Sequence, residues 1–418
     1  MMIKKNMPLC AVGVGFAVYL PLAGAEGFFE DSKASLELRN FYMSRDFREG
    51  SAQSKRQEWA QGFILRYESG YTPGVIGFGF DAIGMLGVKL DSGRGRSGTG
   101  LLPVQDDGGV PDNYSKAGGT LKVKVSDSEL RVGTLLPKWP TLASNNGRLL
   151  PQTFDGAQIQ IKEWKALELT GAKIQSTVYR DQSGSAGLGL NNKNRRFSGP
   201  LDGGDFNLMG VTYHAGQATD LLAQYAVLED VYTQRFFGLT DRRKGAWGSF
   251  TSDVRLFDSD DQGQARGGPI DNRALSVMGT YKLGGNSFGL GYQKMSGDSA
   301  FPYVDGTDPY LVNFVQIGDF AEKDERSWQA RYDFDLATVG IPGLTFMTRY
   351  LKGSQADVRG ADSSADGERE LDVELQYVLQ SGSLKGLSMR LRSATYRADF
   401  ARDADDVRVI VSYPLSLL

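Results

Sequence analysis

Histidine and cysteine each occur once in these 418 residues, as His214 and Cys10. That scarcity excludes histidine and cysteine metal clusters and leaves almost no material for a thiol nucleophile or a histidine-based triad. Long apolar runs are missing as well. Beyond the first 25 residues no stretch reaches eighteen consecutive apolar positions, so no helix of membrane-spanning length is encoded. There is no cationic surplus either: 47 Lys and Arg stand against 50 Asp and Glu, and the formal charge of −3 gives no argument for a nucleic acid partner.

The first residues form a different unit. Lys4 and Lys5 precede an apolar stretch from about Leu9 to Leu22, which closes on Ala23-Gly24-Ala25, the small-x-small pattern that signal peptidase cuts. The stretch is short and broken by Pro21, so residues 1–25 are expected to be an export signal and 26–418 the mature domain. Cys10 lies inside the removable part. It follows Pro8-Leu9 and precedes most of the apolar core, unlike the cysteine of a lipobox. Cleavage would remove two lysines and take the formal charge from −3 to −5.

What the rest of the chain does contain is alternation. In Leu371-Asp372-Val373-Glu374-Leu375-Gln376-Tyr377-Val378-Leu379 every odd position is apolar. Trp328 to Leu336, Leu387 to Leu391 and Val407 to Leu417 repeat the pattern. Period two over about ten residues reads as strands with one apolar and one wet face. Eighteen are expected, near 33–42, 58–69, 74–88, 116–126, 128–135, 153–164, 166–180, 205–213, 219–231, 233–239, 246–258, 272–282, 286–294, 326–336, 343–352, 369–379, 386–398 and 406–417.

Alternation alone fits a soluble sandwich as well as a transmembrane barrel. Connection lengths separate them: 43–57, 89–115, 136–152, 181–204, 295–325 and 353–368 are long, while 70–73, Asp127, Lys165, Gly284-Gly285, 337–342 and 380–385 are short. Long loops on one side and tight turns on the other describe an all-β, antiparallel up-and-down transmembrane barrel with both termini in the periplasm. Trp59, Tyr67, Tyr281, Tyr292, Tyr350 and Tyr413 suit its two interfacial girdles. The 136–152 loop is too apolar for an outside loop. Its Trp139, Leu142, Leu149 and Leu150 are expected to fold into the barrel, narrowing it and presenting Arg148 to the bore, the alternative being a loop packed against neighbouring outside loops.

Strand parity turns Arg39, Lys122, Lys124, Arg131, Arg349, Arg390, Arg392 and Arg408 inward, because arginine in the lipid midplane would cost roughly 2–4 kcal/mol. A row of guanidinium forks can hand a carboxylate from site to site if each holds it loosely. The plainer alternative is that these arginines pair with Glu37, Glu129, Asp372 and Glu374 and only solvate the lumen. In the 295–325 loop, Tyr303, Asp305, Asp308 and Tyr310 could form an acidic wall opposite the arginines or hold a divalent ion between lipopolysaccharide groups. Both readings stay open.

Several stretches carry a family resemblance over essentially the whole mature chain: GFFEDSKASLELRNFYMSRDFR, EWAQGFILRYESGYTPGVIGFGFDAIGMLGVKLDSG, SNNGRLLPQTF, ERSWQARYDF, SGSLKGLSMRLRSATYRADF and the VRVIVSYPLSLL ending. They resemble the OprD family of substrate-specific outer-membrane channels of Gram-negative bacteria. The resemblance implies an eighteen-stranded barrel with a narrow constriction and a ladder of basic residues guiding carboxylates, with no energy source; from the residue counts no cofactor or metal is expected, an all-carboxylate Ca²⁺ site being the one alternative. The family's ladder arginines match Arg390, Arg392, Arg408 and Arg148, with Arg45 and Arg180 looser matches. Implied partners are small carboxylate solutes, outer-membrane lipid, lipopolysaccharide and the barrel-assembly machinery, with the chain a monomer or a loose homotrimer. FYMSRDF and RADFARD are closer to members favouring aromatic or cyclic carboxylates than to those favouring basic amino acids. Residues 183–198, SGSAGLGLNNKNRRFS, depart from the pattern in length and glycine content.

Three other functions compete. An outer-membrane barrel enzyme would need a histidine base, and His214 is expected in a periplasmic turn, 214–218. Asp372 and Glu374 could suggest glycoside chemistry, but two acids on one wet strand face are common in a porin. A general diffusion pore and a non-conducting adhesive barrel complete the set, and channel current distinguishes them.

Overall fold

Backbone groups in hydrocarbon have no water to bond, so a sheet made of these alternating segments must close on itself. The computed structural model describes residues 27–418 and shows that closure; the expected export signal lies outside the described residues. In chain order the strands are β1 (Lys33–Phe47), β2 (Lys55–Glu68), β3 (Ile76–Asp91), β4 (Asn113–Val125), β5 (Ser128–Leu135), β6 (Lys138–Trp139), β7 (Leu142–Ala143), β8 (Thr153–Trp164), β9 (Leu167–Val178) and β10 (Phe206–Ala215). There follow β11 (Thr219–Leu228), β12 (Tyr232–Gly245), β13 (Gly248–Asp261), β14 (Asp271–Leu283), β15 (Asn286–Ser296), β16 (Arg326–Asp335), β17 (Leu344–Ser354), β18 (Glu368–Val378), β19 (Ser388–Ala398) and β20 (Ala404–Ser416). All but β6 and β7 form one 18-stranded antiparallel sheet, in which β1 pairs with both β2 and β20. β6 and β7 make a small ribbon inside the β5–β8 loop.

Each expected strand has its counterpart, with shifted ends. The largest difference is at 233–239, which is the start of a strand running Tyr232–Gly245. Its second half, Thr240-Asp241-Arg242-Arg243-Lys244, is polar on both faces and so gave no alternation signal. The preceding strand stops at Leu228, leaving a connection of only three residues, 229–231, at the end where the other loops are long. His214 is likewise not a turn residue. It belongs to β10, and its Nδ1 lies 2.6 Å from Asp220 Oδ1 on β11.

The outward face is apolar and open: Leu290 is 72% and Leu121 63% exposed, which only lipid can cover. Aromatic rings mark both edges of this band. Trp247 stacks on Tyr281 at the short-turn end, and Trp328 packs on Tyr350 at the long-loop end.

The inward face departs from the expected simple wetness. Phe41, Met43, Ile64, Phe236 and Phe257 point inward and are buried, because the long loops fold into the outer half of the bore and pack on them. Leu149 and Leu150 of the β5–β8 loop join Phe41, Met43 and Ile64, while Trp139 and Leu142 join Phe154 and Phe206 in a second cluster. Gly62 permits the approach, since a Cβ there would come 3.2 Å from Leu149. The β15–β16 loop (297–325) fills a third region through Phe301, Tyr303 and Leu311. The lumen is thus a narrow passage between folded loops and one arc of wall.

Candidate solute pathway

The arc consists of the inward faces of β17 to β20 and β1, brought together by closure. On it β18 presents the acids Glu370, Asp372 and Glu374, and its neighbours present arginines. Arg349 on β17 bonds Asp372 at 2.7 Å, and Arg392 on β19 approaches Glu374 at 2.9 Å. Arg390, one inward position further from the loops, lies 3.5 Å from Glu374 and donates to Gln376 Oε1. Arg408 on β20 and Arg45 on β1 share Asp406, each at 2.8 Å. Arg39 bonds Glu37 at 2.7 Å and also donates to the Arg148 carbonyl at 2.7 Å, so it braces the β5–β8 loop. Arg131, on β5 near the short-turn end, pairs with Glu129, and Lys122 with Asp81 at 2.6 Å. Lys124 sits 5.7 Å from the centre of the Tyr71 ring. The plainer pairing with Glu37, Glu129, Asp372 and Glu374 therefore accounts for Arg39, Arg131, Arg349, Arg390 and Arg392.

Arg148 and Arg180 are different. Among the described residues neither has a carboxylate oxygen within 4.0 Å. Arg148 donates only to the carbonyls of Thr99 and Gly147. Burial, with Arg408, Arg180 and Arg45 nearby, lowers the Arg148 pKa, and burial lowers that of Arg180 as well. Arginine stays protonated in proteins, so an enclosed cation with no carboxylate in contact favours an anionic guest.

Both line a cavity of about 780 Å³ between the arc and the loops, together with Arg45, Arg349, Arg392 and Arg408. Across it the β15–β16 loop contributes Asp305 and Asp308. Asp305 accepts a 2.8 Å bond from Asn191, and burial pushes Asp308 up to about 6 against the pull of Arg180 and Arg148. Both acids line this interior cavity. Tyr179, Tyr303, Phe314, Val315 and Ile317 supply aromatic and apolar stretches of the lining.

Sequence reasoning missed what holds the far side in place. Lys193 and Arg196 of the β9–β10 loop (179–205) bind Asp319 of the β15–β16 loop. The run Lys193, Arg195, Arg196 in the atypical 183–198 stretch was the available signal, but its partners lie more than a hundred residues away. Arg390, Arg39, Arg131 and Lys124 lie outside the cavity's lining. Among the described residues no group of three or more His, Cys, Asp or Glu is arranged to hold a metal ion.

Comparison with known proteins agrees with this architecture. The family described as outer membrane porin, OprD family, matches residues 26–417. The porin-like protein GalP of Pseudomonas putida is 41% identical over 408 residues, covering 96% of each chain. The crystal structure of Pseudomonas aeruginosa OccK9 (OpdG) superposes with a TM-score of 0.90 at 42% identity, covering 94% of this chain and all of that one. That of Pseudomonas aeruginosa OpdK with vanillate does so with 0.88 at 40% identity, covering 93% and 100%.

Proposed function

We propose that this chain, which belongs to the OprD family of outer membrane porins, passes small carboxylate-bearing solutes, aromatic or cyclic ones before basic amino acids, through its arginine-lined constriction. As a member of that family it is a substrate-specific channel of the Gram-negative outer membrane, and the proposed transit is passive diffusion. The observation that carries the finer reading is the unpaired state of Arg148 and Arg180. A carboxylate in the cavity would meet two guanidinium forks that no protein carboxylate contacts among the described residues. Its ring would find Tyr179, Phe314 and Ile317 on the same lining. The paired arginines Arg45, Arg349, Arg392 and Arg408 then act as neighbours that keep the positive potential high while their own acids prevent tight trapping. OpdK, a relative with its structure solved alongside vanillate, is consistent with such a guest.

Planar-bilayer current tests this. Wild type should prefer anions and show benzoate-dependent blocking events that Arg148→Gln with Arg180→Gln removes, while Arg390→Ala with Arg392→Ala only weakens them. Currents indifferent to benzoate and to both pairs of changes would make the protein a general diffusion pore; no current at all would make it an adhesive barrel.

A further inference from the structure

Four neighbouring strands carry cations on the outward face, at the loop end, with no acid beside them. Lys294 on β15 stands directly opposite Arg326 on β16, and Lys352 on β17 directly opposite Arg369 on β18, which in turn faces Arg397 on β19. Their outward direction follows from parity, since Gln293, Ser327, Leu351 and Glu370 between and beside them are buried within the bore. Among the described residues none of Lys294, Arg326, Lys352 or Arg369 has a carboxylate within 4.0 Å. Arg397 alone is neutralised, by Asp405 at 2.8 Å and Asp403 at 3.4 Å.

Like charges directly opposite in a sheet are destabilising. The same barrel shows how the cost is avoided elsewhere: at the loop end of β12 to β14 the outward positions read Arg235, Asp258, Arg273 across three strands, with both contacts at 3.0 Å. On β15 to β18 the acid is absent. Directly below lie Tyr292, Trp328 and Tyr350, rings of the kind that sit at headgroup depth, and then the exposed Leu290, Leu371 and Val373. Each cation pair is separated by one strand spacing, about 5 Å, which lets two side chains share one phosphate.

We propose that this face binds the phosphorylated headgroup of the outer leaflet's lipopolysaccharide, with the Lys294–Arg326 and Lys352–Arg369 pairs each taking phosphate oxygens and the acyl chains lying on the leucines beneath. Free phosphate would use the same cations but gain nothing from that apolar strip. The proposal is independent of what crosses the pore.

The test is native mass spectrometry of the full barrel in detergent, titrated with bisphosphorylated lipid A and with its dephosphorylated form. Wild type should retain the phosphorylated lipid. A variant with Lys294, Arg326, Lys352 and Arg369 all changed to Gln should bind it at least about tenfold more weakly, whereas Arg235→Gln with Arg273→Gln should bind as wild type does. Millimolar inorganic phosphate should not displace the lipid. Equal retention of the dephosphorylated lipid by wild type, undiminished binding by the fourfold variant, an equal loss in the control variant, or displacement by phosphate would each overturn the proposal. If the fourfold variant does not fold, the comparison of the two lipids on wild type still decides.

Discussion

Arg196 and Asp319 form a bidentate ion pair, Nη1 to Oδ2 at 2.6 Å and Nη2 to Oδ1 at 2.8 Å, with both side chains almost wholly buried. The pair joins two loops across the bore. Glu322 adds a second acid to Arg196 at 2.7 Å, Lys193 a second cation to Asp319 at 2.8 Å, and the Tyr303 hydroxyl lies 3.1 Å from Asp319. Burial alone would raise the Asp319 pKa; the two cations overturn it and hold the carboxyl well below its usual range. This clasp fixes the β15–β16 loop, and with it the wall of the cavity that carries Asp305 and Asp308.

Removing Arg196 leaves Glu322 buried without its cation and Asp319 with Lys193 alone, and a buried charge stranded in this way costs about 3–5 kcal/mol. Arg196→Ala should therefore loosen the loop without opening the barrel, whose strands close independently of it. The expected signature is a heat-modifiable band of normal mobility together with larger and noisier single-channel currents. A current trace identical to wild type would show that the clasp does not set the bore.

Asp308 gives the passage a pH dependence. Its carboxyl, raised to about 6, is ionised at neutral pH and offsets part of the charge of Arg148 and Arg180. Protonation removes that offset, so anion selectivity should climb as pH falls from about 7.5 to 5. Reversal potentials under a salt gradient measure it. Asp308→Asn should show the high-selectivity value throughout, and a wild-type profile flat across this range would count against the role.

Glu374 restrains two arginines at once, Arg392 at 2.9 Å and Arg390 at 3.5 Å. Neutralising it as Glu374→Gln should free both, raising anion over cation permeability by about twofold or more and lengthening carboxylate dwell times. Blocking kinetics that do not change would mean these arginines take no part in holding the solute.

The barrel itself was legible because each strand writes its two faces into alternate residues. Leu371, Val373 and Leu375 face lipid, and Asp372 and Glu374 face the bore, as their parity requires. Legibility failed where that rule is relaxed. The polar second half of β12 extends past the apolar band, and inward Phe41 and Phe257 look like misplaced residues until the loops that cover them are known. The inward fold of the β5–β8 loop could be read from Trp139, Leu142, Leu149 and Leu150 because apolar side chains in a long loop must bury somewhere.

The sequence by itself determined the strand number, the inward direction of the arginines and the family, since these depend on local periodicity and on contiguous motifs. Only the tertiary structure decided which arginines are free. Arg408 pairs with Asp406 two residues away on its own strand and Arg349 with Asp372 on the neighbouring strand, whereas among the described residues Arg180 makes no ion pair although Asp181 adjoins it in the chain, so the position of acids along the sequence does not decide the pairing. An ion pair acts over a few ångströms, so only the closed barrel with its loops folded in brings acids near four of the cavity's arginines and leaves Arg148 and Arg180 without one in contact.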